Sequence, residues 1–164
     1  MRKIMVDLRK CLGCNTCELA CAVQHSQSGD LFAALKEPTR PRYRVRVKAS
    51  CGIPFPLRCE QCQDAPCIDA CKSGAMTRDP ETGSVHVDED TCVGCWMCVM
   101  VCPFGAIFPD VERGKAVKCD LCRGHETPAC VDACPTGALA YVEPDEFVVQ
   151  VARVRELGVS TEGK

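Results

Sequence analysis

The sequence predicts an α+β fold in which short strands and short helices recur along the chain. Three observations lead there. Cysteine supplies 17 of the 164 residues, and sixteen of those fall into four groups of four. One turn pattern, C-x-x-G-A-apolar, occurs at Cys71, Cys102 and Cys134, with starts 31 and 32 residues apart. A fixed period of this kind marks one supersecondary unit used several times. Aromatic residues make up only 5% of a chain that is 46% hydrophobic. Such a chain is no disordered tail, but its core needs a staple besides side-chain packing. The net charge of −2 excludes the basic excess of a nucleic-acid binder.

The elements follow in order. Ile4 to Asp7 reads as a short strand and Cys14 to Val23 as a short helix. Tyr43 to Val47 alternates apolar and charged residues, the pattern of a half-buried strand. A short helix is expected at Ala65–Ala70. Met76 to Arg78 and Val85 to Val87 flank Asp79-Pro80-Glu81-Thr82-Gly83, a hairpin signal. A helix over Trp96–Val101 precedes strands at Ala106–Phe108 and Ala116–Lys118. Pro128–Ala133 reads as a helix and Leu139–Val142 as a strand. Asp145 to Leu157 reads as a C-terminal helix with Phe147, Val151 and Val154 on one face and Gly158 as its stop. Residues 22–58 form an insertion rich in Arg and Pro, read as a loop and solvated hairpin over the core or as a docking surface.

The cysteines carry the chemistry. Seventeen is odd, so a complete disulfide framework leaves one over. The N-terminus lacks the apolar stretch of a secretory signal, and no run is long and apolar enough for a membrane helix. The expected setting is therefore reducing, where dense cysteine reads as metal binding. The groups are Cys11-x2-Cys14-x2-Cys17-x3-Cys21, Cys59-x2-Cys62-x4-Cys67-x3-Cys71, Cys92-x2-Cys95-x2-Cys98-x3-Cys102-Pro103 and Cys119-x2-Cys122-x7-Cys130-x3-Cys134-Pro135. The first and third match the bacterial iron–sulfur run, whose fourth Cys reaches to the other cluster of a pair. Structural zinc takes two distant C-x2-C knuckles, which three close cysteines and a reaching fourth fit poorly. Only Cys51 lies outside the groups, and it reads as a packed thiol.

These motifs resemble the four-cluster ferredoxin-type electron-transfer subunits. The resemblance covers about residues 2 to 142 and is strongest in Cys92-Val93-Gly94-Cys95-Trp96-Met97-Cys98-Val99-Met100-Val101-Cys102-Pro103-Phe104-Gly105-Ala106-Ile107, with support from Lys118-Cys119-Asp120-Leu121-Cys122 and Pro128-Ala129-Cys130. It implies two ferredoxin-like halves around four 4Fe-4S clusters, at residues 1–21 plus 110–142 and at 59–109, with 22–58 inserted and 143–164 as helix and tail. Loop closure alone would pair neighbouring groups; the resemblance instead pairs the first with the fourth and the second with the third. The implied ligand sets are Cys11, Cys14, Cys17 and Cys134; Cys119, Cys122, Cys130 and Cys21; Cys59, Cys62, Cys67 and Cys102; and Cys92, Cys95, Cys98 and Cys71. Some relatives replace the second Cys of the third group and carry a 3Fe cluster; Cys95 is present here. Two departures stand out: Ala22 and Lys72, rather than Pro, follow Cys21 and Cys71.

The resemblance implies no catalytic site in this chain. The expected partner is a catalytic oxidoreductase subunit: carbon monoxide dehydrogenase, a tungsten aldehyde oxidoreductase or other molybdenum or tungsten enzyme, formate dehydrogenase or hydrogenase as in formate hydrogenlyase. A flavin or further redox subunit, a cytoplasmic location, no membrane insertion and stacking into a higher oligomer complete the expectation. The alternatives are a freely diffusing polyferredoxin and a structural zinc protein. Four oxidised clusters with their thiolates take the formal charge from −2 to about −10. Arg9, Lys10, Lys72, Lys118 and Arg123 lie beside ligands and read as surface charge or as tuners of potential. His25, His86 and His125 read as surface or satisfied core residues, and Trp96 as a packing shield.

Overall fold

A computed structural model describes residues 1–156. Four two-stranded antiparallel sheets and six helices make up this span. In chain order they are β1 (Lys3–Val6), α1 (Thr16–Gln24), α2 (Leu31–Ala34), β2 (Arg46–Ser50), β3 (Ile53–Leu57), α3 (Pro66–Asp69), β4 (Met76–Arg78), β5 (Val85–Val87), α4 (Met97–Val101), β6 (Ile107–Asp110), β7 (Lys115–Lys118), α5 (Ala129–Asp132), β8 (Leu139–Val142) and α6 (Pro144–Glu156). The architecture is the α+β arrangement the sequence predicts. Leu157 and Gly158, the expected end and stop of the last helix, lie outside the described residues.

The topology joins the ends of the chain. β1 pairs with β8, Lys3 opposite Val142 and Val6 opposite Leu139, and α1 packs on α5. The middle of the chain closes on itself through β4 with β5, β6 with β7, and α3 against α4. Two cores result. One gathers Ile4, Cys17, Cys21, Val45, Cys119, Leu121, Cys130 and Leu139. The other gathers Ala65, Cys67, Met76, Val85, Cys98, Ile107 and Ala116. The β6–β7 hairpin straddles residue 110, and its Ala116 packs in the second core. Cysteines make up much of both cores, which explains how so few aromatics suffice.

The insertion departs most from expectation. Its strand begins at Arg46 rather than Tyr43, and a second strand, β3, pairs with it. Pro54 and Pro56 mask β3 in the sequence, since proline is tolerated only where its missing N–H faces outward, as on an edge. Cys51 is exposed and not packed: Cys51 (φ 51°) and Gly52 (φ 79°) are the two left-handed residues of the tight β2–β3 turn. The sequence reading does not anticipate a 3-10 turn at Leu8–Lys10 or the single turn α2, which Asp30 caps through Phe32 and Ala33 N–H.

Three arginines of the insertion make specific contacts, while Arg40 is exposed. Arg42 Nε pairs with buried Asp110 at 3.2 Å, and Arg42 also pairs with Glu112. Arg44 pairs with Asp120 at 2.5 Å. Arg46 lies 3.8 Å above the Phe108 ring, a cation–π contact. Val45, between two of them, is 2% exposed and belongs to the first core.

Candidate metal centres

The thiols converge as sets drawn from two sequence groups each. Cys11, Cys14, Cys17 and Cys134 line one small cavity. Cys59, Cys62, Cys67 and Cys102 line a second, and Cys71, Cys92, Cys95 and Cys98 a third. Each is lined by three cysteines of one group and one of another. Cys21, Cys119, Cys122 and Cys130 are all buried, and three of them share the first core. The first three sets each surround a cavity.

Backbone conformation bends each loop around its site. Gly13 (φ 67°) and Asn15 (φ 62°) in the first group match Gly94 (φ 66°) and Trp96 (φ 63°) in the third. Trp96 lines the Cys95 cavity as a left-handed residue before α4. Gly94 has a second constraint: a Cβ there would stand 2.4 Å from the Gly114 carbonyl oxygen.

The repeated C-x-x-G-A-apolar turn is explained by what its N–H groups touch. Met76 N–H donates to Cys71 Sγ at 3.3 Å and Ala106 N–H to Cys102 Sγ at 3.4 Å. Burial raises the Cys71 and Cys134 thiol pKa values, but turn N–H groups and the Ser73 and Thr136 hydroxyls outweigh it and hold both below the ordinary value. Hydrogen bonds to sulfur favour the charged form that binds metal.

Cys21 has no such turn, and the insertion replaces it. Arg44 N–H donates to Cys21 Sγ at 3.1 Å. His25, read from sequence as a surface or satisfied core residue, sits on the same cysteine: Nδ1 lies 2.8 Å from the Cys21 carbonyl oxygen and 3.7 Å from Sγ, and Nε2 lies 3.2 Å from Asp120 Oδ1. Burial pushes the His25 pKa down, but the hydrogen bonds to Asp120 and Cys21 prevail and raise it to about 9. The same pair of partners, His25 and Arg44, overcomes burial to hold Asp120 well below the carboxylate range. No sequence motif marks His25; its i, i+4 spacing from Cys21 on one helix face is the one available signal.

Desolvation dominates at five buried thiols. It pushes the Cys17, Cys98 and Cys122 thiols up to about 11, Cys119 to about 12, and Cys130 further upward. Buried thiolates are therefore costly unless metal takes their charge. Lys118 also differs from expectation. It is buried, not a surface charge, and donates to the carbonyls of Val85 and Cys119. Arg9 pairs with Asp7 and exposed Arg123 with Asp79; Lys10 and Lys72 are exposed. His125 Nε2 bonds to Gln24, and His86 Nε2 to Thr77.

Comparison with known proteins agrees with this geometry. A family model described as a 4Fe-4S dicluster domain matches residues 52–144. The chain belongs to this iron–sulfur family. Within it, the chain is 42% identical to an iron-sulfur protein of Rhodospirillum rubrum, over 92% of this chain and 87% of the other. It is 40% identical to the electron transport protein HydN of Escherichia coli (strain K12), over 89% and 90%. It is 34% identical to the thiosulfate reductase electron transfer subunit PhsB of Salmonella typhi, over 88% and 77%. The donor set suits the family's cofactor, since thiolates are the ligands of 4Fe-4S clusters. Among the described residues no helix is long and apolar enough to cross a membrane.

Proposed function

We propose that the chain is a non-catalytic electron-transfer subunit that holds four 4Fe-4S clusters and passes electrons to or from a catalytic oxidoreductase subunit. The ligand sets are those that line the three cavities, together with Cys21, Cys119, Cys122 and Cys130. The observation that carries this reading is the pairing of distant groups: Cys134 stands with the first group, Cys102 with the second and Cys71 with the third. Reaching cysteines of this kind are how two-cluster ferredoxins share ligands. The naming of HydN and PhsB as electron-transport proteins supports the functional class.

Such clusters supply sites that gain or lose one electron without breaking bonds. The chain's own residues do the rest. Sixteen thiols hold iron. The N–H groups of Met76, Ala106 and Arg44 stabilise charge on ligand sulfurs, and burial of Cys119 and Cys130 excludes water. Cys14 and Cys95 are exposed, beside Leu12 at 72% and Val93 at 71% exposure. Clusters held by these two sets would be the ones within reach of a partner for electron exchange.

The partner is a tungsten, molybdenum or nickel oxidoreductase. The test is anaerobic purification from native cells with partners attached, followed by native mass and elemental analysis. A stoichiometric complex containing one of those metals is expected. A monomer containing iron alone overturns the fixed-partner reading and leaves a diffusing polyferredoxin.

A further inference from the structure

The two halves meet at a closed polar ring buried between ligand loops. Gln61, lying between Cys59 and Cys62 in sequence, is 2% exposed. Its Nε2 donates to the Cys119 carbonyl at 2.9 Å, and its Oε1 accepts from Val85 N–H at 2.7 Å. Lys118 Nζ closes the ring, donating to Val85 O and, at 2.8 Å, to Cys119 O. Two links cross to the Cys119 segment, Gln61 to the Cys119 carbonyl and Lys118 to the Val85 carbonyl, and the Gln61–Val85 and Lys118–Cys119 links close the ring on either side. Cys59 itself packs against the first core, although its set mates Cys67 and Cys102 belong to the second.

Lys118 is the anomaly in this ring. Its exposure is 2%, and among the described residues no carboxylate pairs with it. A buried ammonium is expensive unless an opposite charge faces it. Two carbonyl dipoles satisfy its hydrogen bonds but carry no net charge. The negative charge available at this depth is that of the thiolate sets on either side.

We propose that Lys118 is a counter-charge shared by the two inner sets, Cys59/Cys62/Cys67/Cys102 and Cys21/Cys119/Cys122/Cys130, and that it raises the reduction potential of both. The inference rests on the four-cluster reading. An added electron makes each site more negative by one charge, and a fixed cation between two such sites stabilises the reduced form of either. No residue of the ring lines the cavities around Cys14 and Cys95, so these outer sets are expected not to share this effect. Lys118 is thus a positioning residue for charge: it binds no iron, but biases electrons to rest at the junction of the halves.

The experiment is an EPR-monitored redox titration, at one pH, of anaerobically prepared holoprotein: wild type, Lys118→Met, Lys118→Gln and Lys118→Arg. Glutamine keeps amide donors for the two carbonyls without the charge, so it covers a Met variant that fails to fold. In Lys118→Met and Lys118→Gln, two of the four reduction steps are expected to shift to lower potential while two stay in place; Lys118→Arg restores them. Unshifted steps in Lys118→Gln at full iron content would reduce Lys118 to a hydrogen-bonding strut and overturn the proposal. So would an equal shift of all four steps. Iron content of the wild type reports separately on the cluster reading, so the two cannot fail in the same way.

Discussion

Two of the thiol sets each join three cysteines of one group to a reaching cysteine of another, but their environments differ. Cys21, Cys119, Cys122 and Cys130 are all buried, whereas Cys98 is the one buried member of the set with Cys71, Cys92 and Cys95. The reaching cysteine of the surface set, Cys71, takes its N–H donor from its own Gly-Ala turn through Met76. The reaching cysteine of the deep set, Cys21, takes its donor from Arg44, in the insertion. The difference teaches that the surface set is built by local sequence, while the deep set is completed by a segment that looks dispensable. Residues 22–58 are part of the site they cover.

The largest expected effect tests that contrast directly. Cys119→Ala removes a ligand from the deep set and is predicted to lose about four iron atoms. It also costs several kcal/mol, because metal-binding free energy is folding free energy. Cys95→Ala is predicted to lose about one iron atom, leaving a 3Fe cluster with little loss of stability. Iron analysis and anaerobic denaturant unfolding measure both, and equal losses in the two variants would erase the distinction.

Asp110→Asn tests the insertion's anchorage. The carboxylate is buried and bound by Arg42 and Arg113, both partly exposed, so the loss is about 2–3 kcal/mol. Burial raises the Asp110 pKa, but Arg113 and Arg42 overcome it and hold it below its ordinary value. A carboxyl lowered by folding contributes stability that is present above its unfolded pKa and disappears as pH falls through the folded value. The deficit of the variant is therefore expected to be flat from about pH 8 to about pH 5, and unfolding curves across that range check it.

Glycine substitutions sharpen the surface side. Gly94→Ala meets the Gly114 backbone oxygen at 2.4 Å with φ +66°, whereas Gly74→Ala meets nothing within 4 Å. The expected costs are about 3 kcal/mol for the first, from clash and strain together, and about 1 kcal/mol for the second, by the same unfolding assay. The smallest effect is His25→Ala, which removes one hydrogen-bonded link to Asp120 and costs about 1 kcal/mol. The set around Cys95 has no equivalent histidine among the described residues, so only the spectrum of the deep set is expected to change.

Much of the fold is legible in residue order alone. The Gly-Ala turns and the Met76–Arg78 and Val85–Val87 hairpin are local, so neighbouring residues suffice to specify them. The association of Cys134 with Cys11, Cys14 and Cys17 is not a local matter. Chain entropy favours neighbours, and only resemblance to a family points to the long-range pairing. Lys118 and His25 escape a sequence reading for one reason: their burial depends on distant packing. Val85, 33 residues away, covers Lys118, and Asp120, 95 residues away, meets His25. β3 hides because two prolines look like a break and become harmless only on the edge of a two-stranded sheet.

The most direct test of the central claim is the iron and acid-labile sulfide content of the anaerobically isolated chain. Four sites of four predict about sixteen of each per chain. About eight of each, with half the thiols open to alkylation, or zinc in place of iron and sulfide, would contradict it.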